Sequence, residues 1–142
     1  MKKLIVFIFA FTPFFLFASD KLGDDVRLYR ATPVWKMAKA IKHNDTAKLR
    51  KLLTGKSKEI IDYCETEYGM SLLNWAIYIE KLDCVKILAE MGADPNLPDY
   101  EDLTPLIAAA NIYETSEYLK VLLKHGGDPN YIAGKFSRTN RK

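Results

Sequence analysis

The sequence predicts an all-α solenoid of about three helix-turn-helix repeats with short hairpin fingers. The segment MGADPN at 91–96 returns 34 residues later as HGGDPN at 125–130. The surrounding segments, 68–96 and 101–130, align in their apolar and small residues with a period of 33 to 34 residues. Such a period is typical of stacked repeats, each of which buries its apolar face against its neighbour. Neither segment contains a pattern that predicts a long strand.

Residues 1–18 are predicted to be a secretory signal peptide. Lys2 and Lys3 form a basic start, residues 4–17 form an apolar run, and Ala18 is a small residue at the expected cleavage point. An uncleaved N-terminal anchor is the alternative, although the run is short for a bilayer span of about 20 residues. Ser19 follows in place of the cysteine that lipid attachment requires. We therefore expect an exported protein of the bacterial periplasm with no stable membrane anchor.

The rest of the chain divides into a cap, three repeats and a tail. Residues 19–34 are predicted to form a polar N-terminal turn or helix. The repeats are expected at about 35–66, 67–99 and 100–130, with the first the most diverged. Residues 131–142 form a basic tail, in which Tyr131 and Phe136 could pack on the last repeat.

The third repeat shows why each unit should contain two helices. Thr104 can cap a first helix, and Pro105 suits the first helical position because it has no N–H to satisfy. Gly126 is suited to end the second helix in a left-handed conformation. The following Asp-Pro-Asn favours a turn. The second helix is amphipathic through Leu119, Leu122 and Leu123.

These segments resemble the ankyrin-repeat family. The strings DLTPLIAAA, VKILAEMGADPN and YLKVLLKHGGDPN carry the resemblance, which extends over about 35–130. Three positions depart from the usual pattern and put local capping in question. The glycine of the finger is Asp102 in the third repeat, the histidine after Thr-Pro-Leu is Asn74 or Ile107, and Thr-Pro is Ser71-Leu72 in the second repeat.

Charge is sorted along the chain. Residues 19–58 contain 11 basic and 4 acidic side chains, residues 59–117 contain 2 and 13, and residues 118–142 contain 6 and 1. The acidic middle would repel nucleic acid, and it would attract a protein with a basic patch. Weak contact of the basic ends with anionic lipid remains an alternative.

No residue pattern indicates an enzyme, a metal site or a cofactor. Gly-x-Asp-Pro-Asn lacks the features of a phosphate loop. A calcium loop needs a glycine at its bend and a glutamate at its end, and neither falls in place in the cluster of oxygen ligands Asp94, Asn96, Asp99, Glu101 and Asp102. His43 and His125 fall at helix ends in different repeats, where a histidine suits the helix dipole. Cys64 and Cys84 could form one disulfide in an exported protein, but Cys84 is expected to be buried on a second helix and Cys64 to lie in a finger.

The resemblance implies a binding surface. Ankyrin-repeat proteins usually bind a partner protein with their finger tips and the exposed face of their first helices. Carried over to this sequence, these positions are Glu65, Glu67, Tyr68, Met70, Tyr78, Ile79, Pro98, Tyr100, Glu101, Leu103, Asn111 and Ile112. Tyrosines are frequent in binding hot spots. The alternative is that these rings fill gaps between repeats and the charges only face solvent.

The resemblance also suggests two functions for a monomeric, exported ankyrin-repeat protein. One is a scaffold or helper, including a part in oxidative-stress defence with a haem enzyme. The other is an immunity-type inhibitor of a toxin that reaches the periplasm. Both are binding roles, and the sequence does not separate them.

Overall fold

The computed structural model describes residues 22–111 and 116–132. Two 3-10 helices, Leu22–Asp24 and Val26–Tyr29, come first. Within the described stretches seven α-helices follow: α1 Trp35–Lys42, α2 Thr46–Leu53, α3 Lys58–Ile61, α4 Leu72–Tyr78, α5 Leu82–Glu90, α6 Pro105–Ala110 and α7 Ser116–Lys124. The predicted signal peptide and most of the predicted tail, including Phe136, lie outside these stretches.

The longer helices pair, and the pairs stack. Helix α1 contacts α2, α4 contacts α5, and α6 contacts α7. Between pairs, α4 contacts both α1 and α6, while α5 contacts both α2 and α7. The described residues contain no strand, and the bridge between Cys64 and Ser71 is isolated. This arrangement confirms the predicted all-α repeat solenoid.

Side-chain caps begin the helices where the sequence predicts them. The Thr104 hydroxyl accepts a hydrogen bond from the N–H of Ile107 at 3.3 Å, and Pro105 occupies the first turn of α6. In the preceding repeat the Ser71 hydroxyl accepts from the N–H of Asn74 at 3.2 Å. The replacement of Thr-Pro by Ser71-Leu72 therefore leaves the cap of α4 intact, because a serine hydroxyl satisfies the same free donor.

Glycines follow the second helix in the last two repeats. Gly92 follows α5 with φ of 90°, and Gly126 follows α7 with φ of 94°. Only glycine adopts this left-handed conformation without a steric cost from Cβ. The prediction that Gly-x-Asp-Pro-Asn ends each repeat agrees with these backbone angles.

The N-terminal segment is a cap with a buried aromatic anchor. Tyr29 is fully buried, its ring centroid lies 5.3 Å from that of Trp75, and its hydroxyl donates to the carbonyl of Met70 at 3.0 Å. The indole N–H of Trp75 donates to the carbonyl of Gly23 at 2.8 Å. The expected polar turn therefore also contains a buried aromatic residue, which joins the N-terminal segment to the second repeat.

An asparagine joins the turn after α5 to the turn after α7. The Asn96 Oδ1 atom accepts from the N–H of Asp128 at 2.6 Å, and Asn96 Nδ2 donates to the carbonyl of Gly126 at 2.9 Å. One amide therefore satisfies a donor and an acceptor of the next repeat. This explains why asparagine suits the end of the Gly-x-Asp-Pro-Asn segment.

The preceding junction achieves the same contacts with two residues. Asp62, one repeat before Asn96, accepts from the N–H of Asp94 at 2.8 Å. A carboxylate cannot donate, and the Lys58 ammonium instead donates to the carbonyl of Gly92 at 2.7 Å. Lys58 also pairs with Asp62 at 2.6 Å. The two junctions are therefore equivalent in hydrogen bonding although their residues differ.

Replacing Asn96 with aspartate is expected to lower the free energy of unfolding by about 1 to 2 kcal/mol, because the variant keeps the acceptor but removes the donor to Gly126. Asn130→Asp is the matched control, since Asn130 occupies the same repeat position and is exposed. Urea unfolding followed by circular dichroism measures both. Equal losses in the two variants would contradict a structural role for the Asn96 amide.

Candidate functional site

Two fingers lie side by side next to α4 and α6. We define the first finger as residues 63–70 and the second finger as residues 97–103. The backbone N–H of Tyr100 donates to the carbonyl of Tyr68 at 2.8 Å and joins them. Gly69, with φ of 72°, lies directly under the Tyr100 ring. Asp102 takes a similar angle of 61° in the second finger, so it adopts the conformation of the glycine that it replaces.

Glu65 holds the first finger together from inside and does not face a partner. It is 1% exposed. Its carboxylate accepts from the backbone N–H groups of Glu67 at 2.6 Å, Tyr68 at 2.9 Å and Met70 at 2.9 Å. The prediction that Glu65 belongs to the exposed binding surface is therefore wrong. A buried carboxylate is tolerated here because these three donors replace water.

Asp99 has the same position in the second finger. Its Oδ1 atom accepts from the N–H groups of Glu101 at 2.8 Å and Leu103 at 3.0 Å. Burial raises the pKa of Asp99, these two hydrogen bonds oppose that rise, and the nearby carboxylates of Glu101 and Asp102 add to it. Asp99 was not among the residues of the predicted surface. A shared pattern of an acidic residue, a short loop and an apolar residue before each helix cap could have revealed it.

A cavity of about 320 Å³ opens between the fingers, α4 and α6. Its aromatic side is formed by Tyr68, Tyr78 and Tyr100. Tyr78 is 38% exposed, whereas Tyr68 and Tyr100 are half-buried. Three rings on one concave surface give a partner a large contact area with few rotatable bonds.

The same cavity is acidic. Glu67, Asp99 and Glu101 line it, and no described lining residue is basic. The pKa of Tyr78 is raised, first by burial and then by Asp24, Tyr68 and Glu101. The pKa of Tyr68 is raised by burial and by its neighbour Glu67. Carboxylates thus oppose further negative charge in the cavity, and a cation would relieve their repulsion.

Most of the predicted surface is brought together here. The predicted residues that line the cavity are Glu67, Tyr68, Met70, Tyr78, Tyr100, Glu101 and Leu103. Met70 is only 6% exposed, so it lies in the wall of the cavity and not at its rim. This corrects the prediction that Met70 belongs to an exposed surface. Pro98 is also buried, contrary to the expectation of an exposed finger tip.

The remaining predicted residues lie around or beyond the cavity. Ile79 is half-buried and lines a smaller cleft next to Tyr78. Asn111 is exposed at the end of α6, outside the cavity lining. Ile112 lies outside the residues that the structure describes.

Four lining residues were not predicted to be part of the site, namely Gly23, Asn74, Ala108 and the Asp99 already described. Gly23 belongs to the N-terminal cap, and an added Cβ would lie 3.0 Å from the Tyr78 ring. Sequence periodicity could not place this segment next to the second repeat. Asn74 lines the cavity from α4. Its signal was present as the asparagine that replaces the usual histidine after Ser-Leu-Leu.

The two cysteines differ in burial, since Cys84 is buried and Cys64 is half-buried. Cys64 and Cys84 are not joined by a disulfide. Burial raises the pKa of the Cys84 thiol to about 11, and Asp83 adds to the effect. Cys84 is therefore a neutral thiol near pH 7, which is a poor nucleophile and metal ligand.

Residues 22–111 and 116–132 contain no group of three or more histidine, cysteine, aspartate or glutamate side chains arranged to hold a metal ion. None of the helices described has the length and apolar character needed to cross a bilayer. His43 and His125 directly follow the last residues of α1 and α7, as predicted.

The family of the chain follows from its repeats and from a comparison with known families. The described residues contain three stacked helix pairs, and in the last two pairs a side chain caps the first helix and a left-handed glycine follows the second. A family model described as ankyrin repeats (3 copies) matches residues 36–133. Ankyrin repeats indicate a protein–protein interaction module, and proteins built from them are typically non-enzymatic. The chain belongs to the ankyrin-repeat family.

Proposed function

We propose that this protein is an exported binding module that holds a basic partner protein against its two fingers. The observation that carries the proposal is the cavity lined by Tyr68, Tyr78 and Tyr100 together with three carboxylates. Tyrosine rings supply contact area at low cost in conformational entropy. Exposed carboxylates at the rim accelerate the encounter with a basic surface and disfavour acidic competitors.

We place this binding in the periplasm, on the basis of the basic and apolar start of the chain. The first candidate role is that of a scaffold or helper, including support of a haem enzyme in oxidative-stress defence. The second is an immunity-type inhibitor of a toxin delivered to the same compartment. In both roles the partner is a protein, and it binds the same face, which is the surface around the cavity lined by Tyr68, Tyr78 and Tyr100. Only the effect on the partner differs, since a helper sustains its activity and an inhibitor abolishes it.

The proposal is tested by capture of partners in the periplasm. The face variant combines Tyr78→Ala, Glu67→Lys and Glu101→Lys, which are all exposed positions at the cavity. The control combines Leu123→Ala, Glu59→Lys and Glu117→Lys, which are exposed and outside the cavity lining. Each variant is expressed with its full-length gene, tagged and recovered after export. Bound proteins are then quantified by mass spectrometry.

We expect the face variant to capture at least about tenfold less of its specific partner than the unchanged protein, because two favourable charges become repulsive and one aromatic anchor is removed. The control should capture as much partner as the unchanged protein. Thermal unfolding must be the same for both variants. Full partner recovery by a folded face variant would contradict the proposed face. An activity assay of the captured partner then separates the helper from the inhibitor.

A further inference from the structure

Asn74 contributes a buried side-chain amide to the wall of the cavity. Its side chain is 3% exposed, and Nδ2 donates to the carbonyls of Leu97 at 3.2 Å and Leu103 at 3.5 Å. These two carbonyls determine which way the amide is turned, because the opposite orientation would place oxygen against oxygen. The Oδ1 atom has no hydrogen-bond partner among the described residues. Because Oδ1 has almost no accessible surface, a ligand in the cavity meets the wall that Asn74 supports and not this acceptor.

The negative charge of the cavity is only partly compensated. Asp99 is satisfied by two backbone N–H groups of its own finger. Glu67 and Glu101 are exposed, and both line the cavity. The described lining contributes no lysine or arginine to neutralise them. The complementary ligand group is therefore a cation that carries several N–H donors.

A guanidinium group matches this surface better than an ammonium group does. It is planar and can stack on a tyrosine ring, and it presents five N–H donors that suit the carboxylates of Glu67 and Glu101. An ammonium is more strongly hydrated and has no plane to stack. We propose that the cavity receives one arginine side chain from the partner protein, stacked among the three tyrosines and hydrogen-bonded to the rim carboxylates.

The size and position of the cavity favour a side chain of a protein partner. Ligand pockets commonly span about 300 to 1,000 Å³, and a cavity of about 320 Å³ is at the small end of that range. It can hold one long side chain but not a folded segment. Because the cavity lies between the fingers, an arginine that enters it would place the partner's backbone on the finger tips. The inference rests on the proposed function and adds the residue that the partner supplies.

The test uses defined peptides, since the partner is not identified. The protein, purified after export and labelled with ¹⁵N, is titrated with acetyl-Gly-Arg-Gly-amide. Parallel titrations use the lysine peptide and the citrulline peptide, which has the shape of arginine without its charge. NMR follows the backbone amides of Tyr68 and Tyr100 and the side-chain amide of Asn74. The cavity variant is Glu67→Gln with Glu101→Gln, and its matched control is Glu59→Gln with Glu117→Gln.

We expect the arginine peptide to bind with a dissociation constant on the order of 1 mM, as suits a single anchor without the rest of an interface. Saturable shifts should appear at the three reporters. The lysine peptide should bind several-fold more weakly, and the citrulline peptide should give no saturable shift. The cavity variant should bind about tenfold more weakly, while the control variant should bind like the unchanged protein.

Several results would overturn the inference. The arginine peptide could give no saturable shift at the cavity, or the citrulline peptide could bind equally well. Tighter binding of spermidine than of the arginine peptide would assign the cavity to a free polycation. The proposed function is judged separately, by the capture experiment. If the protein captures a partner through this surface but the arginine peptide does not bind, the proposed function stands and only the arginine pocket is contradicted.

Discussion

Replacing Glu65 with glutamine is expected to lower the free energy of unfolding by about 3 kcal/mol, although the two side chains have almost the same shape. The Glu65 carboxylate uses both oxygens to accept three backbone N–H groups, at 2.6 to 2.9 Å. Glutamine replaces one oxygen with an NH₂ group. That NH₂ group would face a backbone donor in a site that is 1% exposed. A hydrogen bond is then lost, and two donors are brought together without water.

Glu67→Gln provides a matched control two residues away in the same finger. Glu67 is exposed, so the same chemical change there should alter stability by less than about 0.5 kcal/mol. Urea unfolding, followed by the fluorescence of Trp35 and Trp75, measures both variants. Hydrogen exchange should also become faster at the amides of Tyr68 and Met70 in Glu65→Gln alone. If the two glutamine variants are equally stable, the carboxylate does not organise the finger.

Glu65 also shows why the sequence could predict the repeats but not the details of the site. The repeats rest on local signals that act within one helix or turn, such as the Thr104 cap and the Gly126 helix stop. A finger has no periodicity, and the same glutamate can face solvent or fold back onto its own loop. The loop 65–70 is one residue longer than the loop 99–103. The longer loop is held by a glutamate and the shorter loop by an aspartate. This match between side-chain length and loop length is recognised only from the hydrogen bonds in the structure.

The cavity depends on contacts between distant segments, which repeat alignment does not provide. The alignment placed Tyr68, Tyr78 and Tyr100 on one surface of the family fold. It gave no reason to place Gly23 beside Tyr78, because the N-terminal cap lies outside the repeats. Nor could it show that Asn74 would use its donor on two carbonyls of the second finger and keep its acceptor buried without a partner among the described residues. Those features follow from tertiary packing between the cap, α4 and the second finger.

Replacing Gly69 with alanine should destabilise the protein by about 3 kcal/mol and displace the Tyr100 ring. Gly69 has φ of 72°, a conformation in which an L side chain costs about 1 to 2 kcal/mol. The added Cβ would also overlap the Tyr100 ring, since it would lie 2.6 Å from Cε1. The ring must move, and the cavity loses its shape. Partner capture and binding of the arginine peptide should both weaken, although Gly69 does not line the cavity.

A double-mutant cycle separates the backbone cost from the overlap with the ring. In a Tyr100→Ala background, Gly69→Ala should cost only the backbone part, about 1 to 2 kcal/mol, because the overlapping atoms are gone. Asp102→Gly is the complementary change in the second finger. There a non-glycine residue already has φ of 61°, so glycine should stabilise the protein by up to about 1 kcal/mol. Equal losses for Gly69→Ala in both backgrounds would mean that the Tyr100 ring does not rest on Gly69. Gly69 would then have no effect on the shape of the cavity through the Tyr100 ring. Whether the positive φ at the two finger positions favours glycine would be decided by the stability of Asp102→Gly alone.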